Sequence, residues 1–418
     1  MDSVADDLLR RLFEKAVEVA DPMKSLAAFL PEKPAGRVVV IGAGKASARM
    51  AEAVEASWGP CEGLVITRYG YARPCEGIEI VEAAHPIPDE IGLSATERML
   101  DLLAGVGEGD FVLALISGGA SALLTAPAGE ITLAEKQEVN QKLLVSGAAI
   151  GQMNVVRKHL SRVKGGQLAA AAYPAKMLAL LMSDVPGDNP AEIGSGPTVG
   201  DASTPEDVKA ILDQWKIDVP ASVREVLSGQ TGVLVPEDRK LSRVTNTVFA
   251  APSQSLDAAK ELAEEEGCEV EILGDAIEGE AREVAHEHAE LALRRQRERP
   301  AGSRPLILLS GGELTVTRRG DGIGGPNAEY ALALALALKG GGGIHAIACD
   351  TDGVDGAAEV AGAVIGPETL AKAAAAGLSQ EKALDNNDAH SFFGVLGDQV
   401  VTGPTLTNVN DFRAIWIG

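Results

Sequence analysis

The feature that most constrains this chain is a repeated order of segments: a short unbroken apolar run, a glycine-rich or acidic loop, then a helical stretch. Val38-Val39-Val40-Ile41 opens into Gly42-Ala43-Gly44-Lys45, and an alanine-rich helix begins at Ser47. Further apolar runs lie at 64–67, 78–81, 111–116 and 177–182. Most are continuous rather than alternating, which is the pattern of parallel strands covered on both faces by helices. The 418 residues exceed what one hydrophobic core usually holds, so a two-domain α/β protein is expected. A Pro-, Gly- and charge-rich passage at 219–243 separates the two parts and sets domains at 1–235 and 245–418.

Leu8, Leu9, Phe13 and Val17 recur near the helical period and predict a helix over 3–20. Residues 133–172 read as mainly helical, interrupted by a basic, polar stretch at 154–166, and a helix from Pro205 leads toward the linker. Val248-Phe249-Ala250 starts the second part, followed by helices at 255–266 and 279–298 and strands at 306–309, 344–348 and 400–401. The balance of 37 Lys+Arg against 60 Asp+Glu gives a formal charge of −23. Such a surface repels nucleic-acid phosphate and anionic membrane, so neither is an expected partner. No stretch approaches the roughly 20 continuous apolar residues that cross a bilayer, and the acidic, amphipathic start does not resemble a secretory signal. Cys61, Cys75, Cys268 and Cys349 lack metal-type spacing and suit a reducing compartment. A soluble, cytoplasmic protein is the expectation.

Ligands of such sheets bind where the carboxyl ends of the strands form a rim, so the loops there carry the chemistry. The turn at Gly42, Gly44 and Lys45 can present backbone N–H groups, a helix N-terminus and a mobile cation to an anion. It is not a Walker loop, because Val39 stands where that pattern needs glycine and Ala46 follows the lysine. It also departs from a dinucleotide fingerprint: Ser47 takes the third glycine position, and the next strand ends in Thr67-Arg68 rather than an acid. Ser117-Gly118-Gly119-Ala120-Ser121 follows a strong strand and reads as a second anion cradle, its serine hydroxyls free to supplement the amides. Arg157, Lys158, His159, Arg162 and Lys164 are the basic exception in an acidic chain and can clamp carboxylate or phosphoryl groups. Asp184 and Asp188 follow the strand ending at Met182, while Ser310-Gly311-Gly312-Glu313 and Asp350-Thr351-Asp352-Gly353-Val354-Asp355-Gly356 lie in the second part. The latter lacks the closing Glu of a twelve-residue calcium loop. A few acids facing glycine-rich loops are what Mg²⁺-assisted phosphoryl transfer requires.

Taken in order, Gly42-Ala43-Gly44-Lys45, Ala84-His85-Pro86-Ile87-Pro88-Asp89, the 115–123 loop, Val156-Arg157-Lys158-His159, Ser183-Asp184-Val185-Pro186-Gly187-Asp188 and Ser195-Gly196-Pro197-Thr198 match one family. Gly311-Gly312-Glu313-Leu314-Thr315, Thr351-Asp352-Gly353-Val354-Asp355-Gly356 and Thr402-Gly403-Pro404-Thr405 continue the match to Asn408-Val409-Asn410-Asp411. Nearly the whole chain resembles the glycerate 2-kinase family with a MOFRL C-terminal domain. The resemblance implies a Rossmann-like N-terminal domain, a smaller α/β C-terminal domain and an active site in the cleft between them. It also implies phosphorylation of glycerate to 2-phosphoglycerate with ATP and Mg²⁺. Lys45, Asp188 and Arg157 are then the catalytic candidates. Gly42, Gly44, His85, Ser117, Gly118, Gly119, Ser121, Lys158, Lys164, Gly311, Gly312, Asn327 and Asn408 are candidates for holding substrate and phosphate. Asp188, Glu313 and Asp352 are the candidate metal ligands, with Asp188 alternatively accepting the substrate hydroxyl proton. The family's Gly-Gly-Arg-Asn-Gln-Glu segment is Gly324-Gly325-Pro326-Asn327-Ala328-Glu329 here. Its arginine is therefore absent, and either Arg157, Arg318 or Arg319 substitutes or the substrate is held differently. The partners implied are small molecules, glycerate and ATP, with homo-oligomerisation left open. Relatives also carry a hydroxypyruvate reductase name, so NAD(P)H-dependent reduction is the competing enzyme reading, and a nonenzymatic sugar-acid sensor the third.

Overall fold

The computed structural model describes residues 2–356 and 358–418. The chain divides into two compact units. One holds 22–184 and 188–250; the other holds the chain up to Asp21, the short piece Val185–Gly187 and Ala251–Gly418.

The first unit is built on six strands: β1 (Val38–Ala43), β2 (Glu62–Arg68), β3 (Ile78–Ala83), β4 (Phe111–Ile116), β5 (Lys176–Met182) and β6 (Val244–Ala250). They lie in the order β3-β2-β1-β4-β5-β6, all parallel. This is the Rossmann strand order, and its direction of growth reverses between β1 and β4. Every residue of β1 is buried, as its unbroken apolar run requires of a central strand. Helix Ser47–Trp58 packs on β1, β2 and β4, and helix Glu90–Ala104 packs on β2 and β3. Helix Leu133–Ser146 is started by a capping box, in which Thr132 accepts from the Glu135 amide and Glu135 accepts from that of Thr132. The basic stretch breaks this helical region later than expected: Ile150–His159 is itself a helix, and the chain leaves it from Leu160 to Gly166 before the helix Gln167–Ala171.

The second unit carries β7 (Glu269–Gly274), β8 (Gly279–Glu280), β9 (Leu306–Gly312), β10 (Leu314–Thr315), β11 (Ile344–Asp350), β12 (Gly362–Ile365), β13 (Gln399–Val400) and β14 (Asp411–Ile417). Six of them form a sheet of order β13-β12-β11-β14-β9-β7. Only the β7–β9 pair in it is parallel. Alternate residues of one strand feed two cores. Leu306 and Leu308 join the face covered by helices Ala281–Glu298 and Pro326–Leu338, while Ile307 and Leu309 join the opposite face. Helix Pro252–Glu265 and the N-terminal helix Asp2–Ala20 cover that opposite face, where Phe13 meets Phe412 at 6.0 Å between ring centroids.

Two sequence assignments shift accordingly. The division at 1–235 and 245–418 puts the N-terminal helix in the first domain, whereas Leu8, Leu9, Leu12 and Phe13 bury themselves on the other unit's sheet. Val248-Phe249-Ala250 does not open the second part but ends β6, the edge strand of the parallel sheet. The four cysteines are unpaired. No helix among the described residues is long and apolar enough to cross a membrane.

The second unit contains a buried polar network at the start of helix Pro326–Leu338. Asp355 Oδ1 accepts from the Asn327 amide at 3.0 Å, and its Oδ2 accepts from the Ala328 amide at 2.8 Å and lies 2.9 Å from His390 Nε2. A carboxylate placed there satisfies the open amides and complements the helix dipole. Asp355→Ala should therefore lower the unfolding free energy by at least about 3 kcal/mol, because it strands several buried donors. A urea midpoint unchanged from the parent would contradict that role.

Candidate active site

The loops after β1 and β4 stand side by side where the sheet reverses. They are stitched to each other and to the next strand. The Gly44 amide donates to Ile66 O at 3.1 Å, Lys45 to Gly118 O at 2.8 Å, and Ala46 to Ser117 Oγ at 3.0 Å. Ser47 N closes onto Gly44 O at 3.2 Å. A Cβ on Gly44, at φ 141°, would come within 2.1 Å of Ser117 Oγ, and one on Gly42 within 2.4 Å of Leu115 O. The glycines of the first loop thus serve close approach of two loops. Their amides are not presented to an anion, contrary to the sequence reading. Ser117 is also committed: Ser47 Oγ donates to Leu115 O at 3.0 Å, so Ser117 donates to Ser47 Oγ, 3.1 Å away, and accepts from Ala46. Its hydroxyl is buried in the joint.

The open groups lie one step further on. The amides of Gly118 and Gly119 make no hydrogen bond among the described residues. A Cβ on Gly119 would stand 3.0 Å from His85 Nε2 and 3.3 Å from Lys45 Cγ, so Lys45, His85 and Gly119 converge. Beside them is a cavity of about 500 Å³ lined by His85, Gly119, Ser121, Gln137, Gln141 and Arg157, among others. That size suits a small organic ligand.

Arg157 and Glu138 are the charged residues of the lining, and two buried lysines stand near Arg157. Lys136, on helix Leu133–Ser146, is buried, and its ammonium makes no ion pair or hydrogen bond among the described residues. Burial, and then the Arg157 guanidinium, pull its ammonium down to about 8. Lys164 is also buried; its Nζ donates to Leu124 O at 3.0 Å, and burial with Lys136 and Arg157 nearby holds its pKa well below the usual lysine value. Burial lowers that of Arg157 too. Three cations share one region, and among the described residues no carboxylate pairs with Lys136 or Lys164. The rest of the basic cluster is engaged elsewhere. Lys158 is buried between Glu192 and Asp201, at 3.0 and 2.6 Å, so it is not available to a ligand. His159 Nδ1 lies 2.6 Å from Thr231 Oγ1 and its Nε2 3.1 Å from Ser203 Oγ, and Arg162 pairs with Glu97 at the surface.

The candidates of the mixed-sheet unit sit largely inside its framework. Gly311 O accepts from Ile277 N at 3.1 Å, and a Cβ on Gly312 would strike Ile277 N at 2.1 Å. Asn327 is buried, with Nδ2 donating to Asp411 Oδ1 at 2.7 Å. Burial raises the Asp411 carboxyl to about 6 despite Arg413, whose Nη1 is 3.0 Å from Asp411 Oδ2. Asn408 is buried, Glu313 is exposed, and Asp352 Oδ1 accepts from the Val354 amide at 2.8 Å. Asp188, at φ 53°, has a buried Oδ1 with no hydrogen-bond partner among the described residues. Among the described residues no three His, Cys, Asp or Glu side chains group to hold a metal.

Residues 8–228 match the family described as a domain of unknown function, DUF4147, and residues 306–411 match the MOFRL family. Over 404 residues the chain is 38% identical to the D-glycerate 2-kinase of Thermotoga maritima, covering 96% of this chain and 95% of that one. The crystal structure of a Thermotoga maritima glycerate kinase superposes with a TM-score of 0.89 at 36% identity, covering all of both chains. The chain belongs to the glycerate kinase family with a MOFRL C-terminal domain. It is also 50% identical over 423 residues, covering 100% of this chain and 95% of the relative, to an Agrobacterium vitis protein named "Putative hydroxypyruvate reductase".

Within this glycerate kinase family fold, Pro326 occupies the first turn of helix Pro326–Leu338, where its ring suits the geometry and its missing N–H is harmless. Of the three arginines that could replace the absent one, Arg318 and Arg319 are exposed on a loop and Arg157 lines the cavity. Lys136 was missed by the sequence reading. The signal was present: Leu133, Lys136, Val139 and Leu143 form the buried stripe of one helix, and a lysine in such a stripe is out of place unless it meets an anion.

Lys136→Met should stabilise the free protein while weakening its hold on anions. The unfolded chain keeps the lysine proton to about 10.4 and the native chain only to about 8. The unfolded state therefore binds more protons in that window, and stability rises with pH across it. Below pH 8 the penalty is present in full, so the variant should melt several degrees higher at pH 7. For turnover, kcat/KM of the parent should fall as pH rises through about 8, and this limb should be lost in the variant. A lower melting temperature with an unaltered pH profile would contradict the assignment.

Proposed function

We propose that the chain is an ATP-dependent D-glycerate 2-kinase, moving the γ-phosphoryl group of ATP to the C2 hydroxyl to give 2-phosphoglycerate and ADP. The observation that carries this reading is a cationic cluster that reaches the cavity through Arg157, with the buried Lys136 and Lys164 near it and paired to no carboxylate among the described residues. Buried charge without a partner is costly, and an anionic ligand removes the cost. Family membership supplies the identity of the reaction and its regiochemistry.

In this reading Arg157 and the lysines near it hold the substrate carboxylate, and the open amides of Gly118 and Gly119 donate to phosphoryl oxygens. Lys45 neutralises charge as it shifts during transfer, and His85 borders its path. Asp188 has two alternatives: its unpartnered oxygen accepts the hydroxyl proton, or it faces Mg²⁺ directly or through a metal-bound water. A single carboxylate fits Mg²⁺ that arrives with the nucleotide, since that ion keeps several waters and is held mainly by phosphates. When bound, Mg²⁺ would neutralise and align the phosphate oxygens.

The reductase name of the Agrobacterium relatives deserves a physical test. A dinucleotide's pyrophosphate needs open amides after the first strand and an acid after the second for the ribose. Here the amides of Gly44, Lys45, Ala46 and Ser47 are all engaged, and β2 ends in Thr67-Arg68, with Thr67 Oγ1 donating to Gly44 O at 3.1 Å. That arrangement disfavours nicotinamide chemistry. Incubation with D-glycerate, ATP and Mg²⁺ should form ADP, and phosphorus NMR should show the C2 ester first. Oxidation of NADH or NADPH by hydroxypyruvate at a comparable rate, with no ADP formed, would reverse the reading.

Lys45→Ala should fold normally and lose about 10²-fold in kcat with a smaller change in KM, the size expected on removing a preorganised charge. Parent-like turnover in this variant would exclude the role.

A further inference from the structure

One wall of the cavity carries a chain of hydrogen bonds whose direction is set by groups that cannot reverse. Arg157 can only donate, and its Nη1 reaches Asn154 Oδ1 at 3.2 Å. On the opposite side Asn154 Nδ2 donates to Glu192 Oε2 at 2.6 Å, while the same carboxylate accepts from Lys158 Nζ at 3.0 Å. An arginine on one side and a lysine-paired carboxylate on the other leave the Asn154 amide one orientation. Its oxygen also faces Ser195 Oγ at 3.2 Å, so Ser195 must donate its single proton there. Ser121 Oγ lies 2.8 Å from Ser195 Oγ. With the Ser195 proton already committed, Ser121 donates and Ser195 accepts. Asn154 and Ser195 are buried, so bulk water does not compete for these bonds.

The consequence falls on Ser121, which lines the cavity beside Arg157. Its proton points into the wall and only its lone pairs face the ligand. The sequence reading made it a donor to anions; the geometry makes it an acceptor. A ligand filling this corner must set an anionic group against the cations and a hydroxyl donor against Ser121. We propose that Ser121, oriented by the positioning residues Ser195 and Asn154, reads a substrate hydroxyl, so that the site selects a small hydroxylated carboxylic acid over its deoxy analogues. The choice of glycerate as that acid rests on the kinase reading above.

The proposal predicts discrimination at equilibrium, which calorimetric titration can read without turnover. The probes are D-glycerate and two acids each lacking one of its hydroxyls, D-lactate and 3-hydroxypropanoate. The parent should bind one of the two at least about 30-fold more weakly than glycerate, because a polar site left unpaired penalises the missing hydroxyl. In Ser121→Ala that ratio should collapse to within about threefold, through weaker glycerate binding, with ATP affinity unchanged. Ser195→Ala frees the Ser121 proton and should reduce the ratio by about threefold or more, which decides the matter if the first variant fails to fold. Equal binding of all three acids by the parent, no glycerate binding, an undiminished ratio in the folded variants, or a loss of ATP affinity instead would each overturn the proposal. The kinase reading fails separately: no ADP from any acid would sink it, while the binding ratios would still decide the hydroxyl reader.

Discussion

The cost of burying two lysines near Arg157 is the constraint on which the site of the parallel-sheet unit depends. Lys136, Arg157 and Lys164 come from one helix, the next helix and the turn beyond it, and each is held below its usual pKa mainly by burial. Such an arrangement costs stability in the free protein and is retained only where a ligand offsets it. The formal charge of −23 makes the contrast sharper. The acidic surface disfavours anions at long range, and in the proposed reading the site recovers them at short range through charges that water screens weakly.

The scaffold delivers these charges through elementary preferences. A capping box fixes the start of the helix bearing Lys136. The ion pairs of Lys158 with Glu192 and Asp201 hold the helix bearing Arg157 against the loop that carries Ser195. The stitching of the first glycine loop to Ser117 keeps Lys45 beside Gly119 and fills the place a dinucleotide pyrophosphate would take. The Rossmann strand order is therefore present without the feature that makes it bind a nicotinamide cofactor. Fold and function separate at the level of a few backbone amides.

The parallel sheet was legible because its strands are unbroken apolar runs between glycine turns, and β1, β4 and β5 follow the sequence almost residue for residue. The strand β14 was not, because Asp411 and Arg413 interrupt its pattern; their mutual ion pair and their bonds to Asn327, Ser310 and Gly311 make them acceptable inside a sheet. The N-terminal helix was recognised, but amphipathicity states that a face is buried and not which sheet buries it. Glycine-rich loops were recognised as loops, while their use was not. Whether a glycine admits a ligand or a neighbouring loop depends on what stands opposite, and opposite Gly44 stands Ser117. Likewise the basic cluster divided according to partners distant in sequence, Lys158 to Glu192 and Asp201, Arg157 to the cavity.

The central claim, that the buried cations await an anion, is tested most directly by the protons taken up on binding. D-glycerate should be titrated calorimetrically near pH 8.5 in buffers of different ionisation enthalpy. A carboxylate seated against Lys136 and Lys164 restores their affinity for protons. The account predicts net uptake of protons from buffer on binding, greatest just above the free Lys136 value of about 8 and reduced in Lys136→Met. Binding with no proton uptake at that pH, or with proton release, would contradict it.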